Sequence, residues 1–446
     1  MTMIVFRKFI QLFLLIALFA PQAYGQSIIR DTEIEDIFRE WTQPILKTAD
    51  IPQKNVNIVL VQSPQINAFV AGGANIFFYT GLLQKTENPD EVIGVFAHEL
   101  GHIAGSHLIA QRQALERASY ESILGTVLGI GAALVGGGDA SAAIIRGSQG
   151  LAASRYLAHS RVHESAADQA ALRYFEGAGF NPEGLKTFLQ KLQGEELLPT
   201  SRQVEYVRTH PLTHNRITAV ENRAAQSPHK DAKFPAHWYE QHARMKAKLL
   251  GFIDPGRVAW DYDDRDQSIP ARYARAIAAY RESRVEDAVA GINALIADEP
   301  DNPHFHELKG QMLVEFARVE EAIPAYAKAV KLRPDAALFR IAYAHALLQD
   351  SDKAHRGIAI DNLQRALRDE PRSTRAHRLL ARAYGQMGNE DLAKLHLAEE
   401  ALLQRRIPYA RRQAESVEQS AKPKSKELLM ARDMLAYIKT LKEESN

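Results

Sequence analysis

The apolar pattern changes character along the chain. Residues 9–20 form one apolar run, broken by Gln11, with Arg7 and Lys8 before it and Ala23-Tyr24-Gly25 after it. That layout predicts a secretory signal over 1–25, cleaved before Gln26. The run is short for a membrane span, which needs roughly 20 residues. From residue 31 the spacing turns helical, with Ile34, Ile37, Phe38, Trp41 and Ile45 on one side of a helix over 31–50. Short strand-like runs follow at 57–61, 67–70 and 75–79. The last two flank Gly72-Gly73, which reads as a tight turn between paired strands. Thr80-Gly81-Leu82-Leu83 opens a short helix. Asn88-Pro89-Asp90-Glu91 then opens a longer one, with a capping Asn, Pro at the first helical position and a Glu placed to close a capping box. Val92, Val95, Phe96, Leu100 and Ile103 continue that helix at helical spacing.

Residues 123–135 are rich in Ile, Leu, Val, Ala and Gly, end in Gly136-Gly137-Gly138 and resume at 140–145. This stretch is too short and too Gly-broken to span a membrane. It reads either as a mobile helical flap that covers a cleft or touches a membrane surface, or as a buried helical hairpin. A helix is predicted over 160–171, a loop around Pro211, and a second helix from Arg216 onward. Breakers at Ser227-Pro228, Phe234-Pro235 and Asp254-Pro255-Gly256, with an acidic stretch at 261–266, mark 226–269 as a linker containing one helix near 236–251. Beyond it the chain repeats. Pro300 and Pro334 lie 34 residues apart and Pro371 follows 37 later. Gly310, Leu313, Ala322, Tyr326 and Ala329 fit a 34-residue helix–turn–helix pattern, and Ala381, Tyr384, Gly388 and Ala393 fit it again. This predicts about four tetratricopeptide repeats over 270–405, then a charged tail over 406–446 with a last helix at 427–442. Stacked repeats of this kind form concave grooves that bind protein segments.

Composition narrows the chemistry. The chain has 446 residues, enough for two or three domains, with 46% hydrophobic and 24% charged residues. The formal net charge is +1, and without Arg7 and Lys8 it is 1 − 2 = −1, so nothing favours nucleic acid as a partner. There is no cysteine. Disulfides, thiol catalysis and thiolate zinc ligands are excluded, and any metal must be held by histidine and carboxylate.

Such residues occur in an ordered set. His98-Glu99-Leu100-Gly101-His102 is an H-E-x-x-H sequence on a predicted helix, so His98 and His102 share a face and can hold one metal ion. Glu99 stands beside it, placed to take a proton from water activated there. Gly105 fits an extended form of the motif, but His107 falls one position early for its third histidine and is not a ligand. A catalytic zinc wants three protein ligands and one open position. Glu164 supplies the third. Asp168, four residues on along the same face, is placed to accept the outer N–H of a ligand histidine and fix its tautomer. His163 competes with Glu164 but points about 100° away on an ideal helix. Ala166, Ala167, Ala170 and Ala171 argue for a packed helix here. In the loop His210-Pro211-Leu212-Thr213-His214-Asn215-Arg216, His210 either stabilises the oxyanion of a tetrahedral intermediate or occupies the open metal position and holds the enzyme off. Arg216 can pair with a substrate carbonyl or a carboxylate.

HELGH, followed downstream by Glu164 in Glu-Ser-Ala-Ala-Asp, resembles the M48 family of zinc metallopeptidases, whose third ligand lies in an E-x-x-x-D helix. Asn67-Ala68-Phe69, Gly72-Gly73 and Tyr79-Thr80-Gly81-Leu82-Leu83 resemble that family's strand segment before the metal helix. His210-Pro211 with Arg216 is similar to a further family pattern. The resemblance spans roughly residues 30–225. It implies an α+β zincin-like metallopeptidase domain over 26–225, mostly helical with a small β-sheet, followed by the all-α tetratricopeptide-repeat solenoid. It implies a zinc metalloendopeptidase with one Zn2+ per chain: His98, His102 and Glu164 as metal ligands, Glu99 as proton carrier, with His210 and Asp168 as catalytic aids. Exported relatives with C-terminal repeats further imply a periplasmic enzyme acting on unfolded or misassembled outer-membrane proteins, with a chaperone-like role and contact with the barrel-assembly machinery through the repeats. In many zinc peptidases a strand beside the metal helix pairs with the substrate backbone. The rival reading is a chaperone or adaptor working through the repeats, its zinc site latched or silent. A cytoplasmic helical scaffold would require an uncleaved N-terminus.

Overall fold

A computed structural model of the chain describes residues 27–106, 160–194 and 203–443. The predicted signal at 1–25, His107 and the apolar stretch 123–135 lie outside the described residues. The chain divides into two compact units. One takes the residues up to Arg30 with Phe38–Ala236, and the other takes Asp31–Ile37 with everything from His237 onward.

The first unit is built on a four-stranded sheet. Its strands are β1 (Ser27–Ile29), β2 (Asn57–Gln62), β3 (Ala68–Ala71) and β4 (Asn75–Tyr79), in the order β1-β2-β4-β3. β1 is antiparallel to β2, β2 is parallel to β4, and β3 pairs antiparallel with β4, Ala68 facing Phe78 and Ala71 facing Asn75. The predicted hairpin is therefore present. Gly72 and Gly73 take φ of +59° and +95°, backbone that side-chain-bearing residues resist, and Asn75 Nδ2 closes the turn on Gly72 O at 2.7 Å. Alternation buries Ala68, Val70, Ile76 and Phe78. Helix α1 (Thr32–Thr48) supplies Phe38 and Trp41, and the Phe38 ring lies 5.0 Å from that of Phe78.

After a short helix α2 (Thr80–Lys85) comes α3 (Pro89–Ala104), buried along nearly its whole length. Val92, Ile93, Val95, Phe96 and Leu100 are each at most 1% exposed. Each contributes about 1.5–3 kcal/mol from burial, taken as an upper value. Asn88 caps it as expected, accepting from Glu91 N at 3.1 Å. The reciprocal half of the capping box is displaced by one residue: Glu91 accepts from Glu87 N rather than from Asn88. Its carboxylate also pairs with Lys191 Nζ at 2.9 Å, which ties α3 to α5 (Glu183–Lys191). Helix α4 spans 160–178. Two further helices, α6 (Glu205–Thr209) and α7 (His214–Ala225), bracket the 210–213 turn.

In the second unit, α8 (Ala236–Ile253) precedes a run of antiparallel helix pairs: α9 (Ile269–Arg281) with α10 (Val285–Asp298), α11 (Pro303–Glu315) with α12 (Val319–Leu332), α13 (Ala337–Leu347) with α14 (His355–Asp369), and α15 (Thr374–Gln386) with α16 (Glu390–Leu403). Small residues at the repeat positions, Ala322, Ala329, Ala344 and Ala366, are fully buried between helices. The stretch from 406 on, read from composition as a charged tail ending in one helix, forms two: α17 (Ile407–Ser420) and α18 (Lys426–Glu443). Ala410, Ala414 and Val417 are a narrow apolar stripe among charges, and they pack with Leu395, Ala431 and Ile438. Among the described residues no helix is long and apolar enough to cross a membrane.

Candidate metal centre

Four elements of the first unit converge. Helix α3 carries His98, Glu99 and His102, α4 carries Glu164 and Asp168, and the turn after α6 carries His210, with Arg216 in the first turn of α7. Helical spacing sets the two α3 imidazoles side by side, their Nε2 atoms 3.1 Å apart. Glu164 reaches both, Oε2 lying 3.3 Å from His98 Nε2 and Oε1 3.4 Å from His102 Nε2. His210 brings Nδ1 within 3.3 Å of Glu164 Oε2. One ligand atom from each of His98, His102, Glu164 and His210 lies within 4.8 Å of the other three, and all four residues are buried.

The donor chemistry fits a metal ion. Asp168 Oδ1 lies 2.8 Å from His98 Nδ1. The ionised carboxylate only accepts, so Nδ1 carries the proton and the Nε2 side faces the cluster. Two imidazole nitrogens and a carboxylate oxygen meeting in a buried space could hold a cation between them, and they are donor types that catalytic zinc sites use. The charges agree. Burial opposes ionisation of Glu164, but His210, His98 and Arg216 outweigh it and hold the carboxyl well below its usual range. Burial likewise raises Asp168, and Arg216 and His98 bring it down. Burial pulls His98 down, yet hydrogen bonds and charge from Asp168 and Glu164 carry it up to about 10, so this spot favours positive charge.

Glu99 is different. Both its carboxylate oxygens are buried without a hydrogen-bond partner among the described residues, although His210 Nε2 stands 3.4 Å from Oε1. Burial raises its pKa, while the charges of His210 and His98 pull the other way. Such a group holds and releases a proton more readily than a solvated carboxylate near neutral pH.

The six residues singled out from the sequence, His98, His102, Glu164, Glu99, Asp168 and His210, are thus side by side. His163 is half-buried outside the group of four, His214 is exposed, and Ala166 faces solvent while Ala167, Ala170 and Ala171 are covered. Arg216 serves carboxylates: Nε and Nη2 reach Asp168 at 2.7 and 2.9 Å, and Nη1 reaches Glu164 at 3.0 Å and Pro211 O at 2.9 Å. Two contacts of His210 escape sequence reasoning. Its ring stacks on Tyr206, centroids 4.6 Å apart at 28°, and its Nε2 donates to Ala68 O at 3.2 Å. The only sequence signal for the first is the i, i+4 spacing of Tyr206 and His210.

Residues 29–224 match Peptidase family M48. The chain carries an M48 peptidase domain. Residues 261–408 match the Cytochrome c-type biogenesis protein H TPR domain. The Beta-barrel assembly-enhancing protease of Yersinia pestis is 26% identical over 363 residues, covering 79% of this chain and 72% of that one. The Mitochondrial metalloendopeptidase OMA1 of Schizosaccharomyces pombe is 26% identical over 163 residues, 36% of this chain and 44% of its own. Among solved structures, a crystal structure of MamA, 16% identical, covers 38% of this chain and 96% of its own with a TM-score of 0.30. The chain is a zinc metalloprotease whose α+β peptidase domain precedes a helical tetratricopeptide region, the fold class and enzyme class read from its sequence.

Proposed function

We propose that this protein is an exported zinc endopeptidase in which His98, His102 and Glu164 hold one zinc ion per chain. The observation that carries this reading is the buried convergence of those donors beside a carboxylate, Glu99, left without a hydrogen bond. When bound, zinc supplies Lewis-acid polarisation of the scissile carbonyl and makes water more acidic. Glu99 takes the proton from the attacking water and returns it to the leaving amine. Asp168 holds His98 in the tautomer that presents Nε2, and Arg216 keeps Asp168 and Glu164 ionised. The boundaries that go with it are a signal at 1–25, a peptidase domain at 26–225, a linker with one helix at 226–269, repeats at 270–405 and a tail at 406–446.

The N-terminal pattern supports export to the periplasm. The names of the relatives support outer-membrane proteins that are unfolded or misassembled as substrates, with the repeats as the surface offered to them and to the assembly machinery.

A second reading, that the site is latched at rest and the repeats act as chaperone or adaptor, is favoured by His210. Its Nε2 lies 3.2 Å from Ala68 O and its Nδ1 3.3 Å from Glu164 Oε2, so the ring stands beside His98, His102 and Glu164 where a fourth donor would. The two readings are compatible if the latch opens.

Bound-metal analysis and a casein-cleavage assay with and without chelator test the proposal. Glu99→Gln is expected to keep one zinc per chain and lose hydrolysis by about 10²–10⁴-fold. Glu164→Ala is expected to lose tight zinc. Retained cleavage by metal-replete Glu99→Gln protein, or stoichiometric tight zinc in Glu164→Ala, would sink the assignment. If the latch holds, His210→Ala raises casein cleavage; a fall would make His210 a catalytic aid instead.

A further inference from the structure

The repeat unit holds a second pair of imidazoles. His377 on α15 and His396 on α16 face each other with their Nδ1 atoms 3.1 Å apart. His98 Nε2 and His102 Nε2 keep the same separation in the metal centre. Two nitrogens on one zinc ion, each about 2.0–2.1 Å from it, stand about 2.8–3.4 Å apart for ligand angles between a right angle and a tetrahedral one. His377 is 8% exposed. The His396 ring lies flat against Tyr384, centroids 5.6 Å apart at 1°, and the Tyr384 hydroxyl accepts from Gln364 Nε2 at 2.9 Å. Packing thus keeps the two rings facing each other. Burial lowers the pKa of both, that of His396 to about 4. At neutral pH each ring is uncharged, as a metal ligand must be.

A shared proton accounts for two nitrogens at this distance, and so does a shared ion. The carboxylate beside them favours the ion. Glu399 follows His396 by three residues on α16, a spacing that puts both on one face. Its charge reaches His377 on the facing helix. The neighbouring Glu400 is engaged by Arg378 at 2.8 and 2.6 Å. Glu399 is half-buried and, among the described residues, makes no hydrogen bond or ion pair. Helix bundles build metal sites in this way, from a Glu and a His three residues apart on one helix with ligands from the helices facing it.

We propose that His377, His396 and Glu399 form a second metal site, which takes a divalent transition ion such as Zn2+ and pins α15 to α16. The two imidazoles are its preformed part. Glu399 is not gathered with them in the structure and closes on the bound ion, and water completes the shell. With only two donors in place the site is weaker than the peptidase centre and fills after it. It lies wholly within the repeat unit and stands whether or not the peptidase reading holds.

The test is calorimetric titration of the full-length, chelator-stripped chain with zinc chloride. Two equivalents are expected, a tight one and then a weaker one. His377→Gln, His396→Gln and Glu399→Gln are each expected to leave the tight step and to weaken the second by at least about 10–100-fold, the range seen when a ligand loses only its supporting partner. Melting curves check that the variants fold. Glu399→Gln keeps both rings in place, so the comparison survives if the histidine variants do not fold. A single tight equivalent in the parent chain would overturn the proposal. So would a second equivalent of equal affinity in the parent and the variants, which is adventitious binding. A single weak equivalent that disappears in His396→Gln would instead sink the peptidase reading and leave this site standing.

Discussion

Asp168 and Arg216 are each at most 5% exposed, yet both are charged. They are tolerated because the guanidinium meets the carboxylate with two bonds, at 2.7 and 2.9 Å, and spends a third N–H on Glu164 at 3.0 Å. Removing the cation leaves two buried carboxylates facing each other across His98. Arg216→Met is therefore expected to cost about 3–5 kcal/mol in urea unfolding. Arg216→Lys is expected to restore only part of it, since an ammonium cannot reproduce the planar fork. Equal stability of the Met variant and the parent would show that the pair is dispensable. Part of this was legible beforehand. Glu164 and Asp168 at i and i+4 announce one face, and H-E-x-x-H announces another. The spacing says nothing of Arg216, 48 residues beyond Asp168, because a contact made across a turn leaves no periodicity.

At the scale of elements, the centre exists because α3 and α4 touch closely. A Cβ on Gly101 would stand 2.8 Å from Ala167 O and 2.9 Å from Ala167 Cα, both backbone atoms that cannot swing aside. α4 would have to move, and it carries Glu164 three residues before Ala167. Helix propensity alone favours alanine over glycine by about 1 kcal/mol. Gly101→Ala is nevertheless expected to destabilise the protein by about 1–3 kcal/mol through overpacking, and to weaken zinc binding along with it. Titration of the purified variant with a zinc indicator measures the second effect, and unchanged affinity would mean that α4 shifts without disturbing Glu164. Within the motif Gly101 reads as a neutral x position, so its packing role emerges only from the structure. The same blindness applies to α17. Its fully buried face is three small residues, Ala410, Ala414 and Val417, interleaved with Arg411, Arg412, Glu415 and Glu418, and composition outweighs so thin a stripe. The β3–β4 hairpin was readable because two glycines and alternating apolar residues signal a turn and a strand directly.

At the scale of the chain, residues far apart in sequence close the repeat unit. Lys248, on α8, is buried and pairs with Asp31 at 2.7 Å and Glu33 at 3.0 Å, and Tyr273 donates to Glu33 at 2.9 Å. These partners lie more than 200 residues apart in sequence for Glu33, at separations of 215 and 240. No repeat period or local pattern could foretell that residues 31–37 belong with this unit. Burial alone would raise Glu33, but the charge of Lys248, aided by His304 and by hydrogen bonds from Lys248 and Tyr273, takes it from 4.5 down to about 2. The folded pKa lies below the unfolded one. The stabilisation is therefore complete above pH 4.5, declines as pH falls, and is gone once pH passes below about 2. A shift of this size corresponds to about 3 kcal/mol at neutral pH. Glu33→Gln is expected to lose about that much stability at pH 7, and its deficit against the parent is expected to shrink steadily between pH 4.5 and pH 2. Urea midpoints of both proteins at pH 7, 4 and 2.5 measure the closing gap. A deficit of constant size across that range would mean that Glu33 acts by packing, with its charge irrelevant to how residues 31–37 are held in this unit.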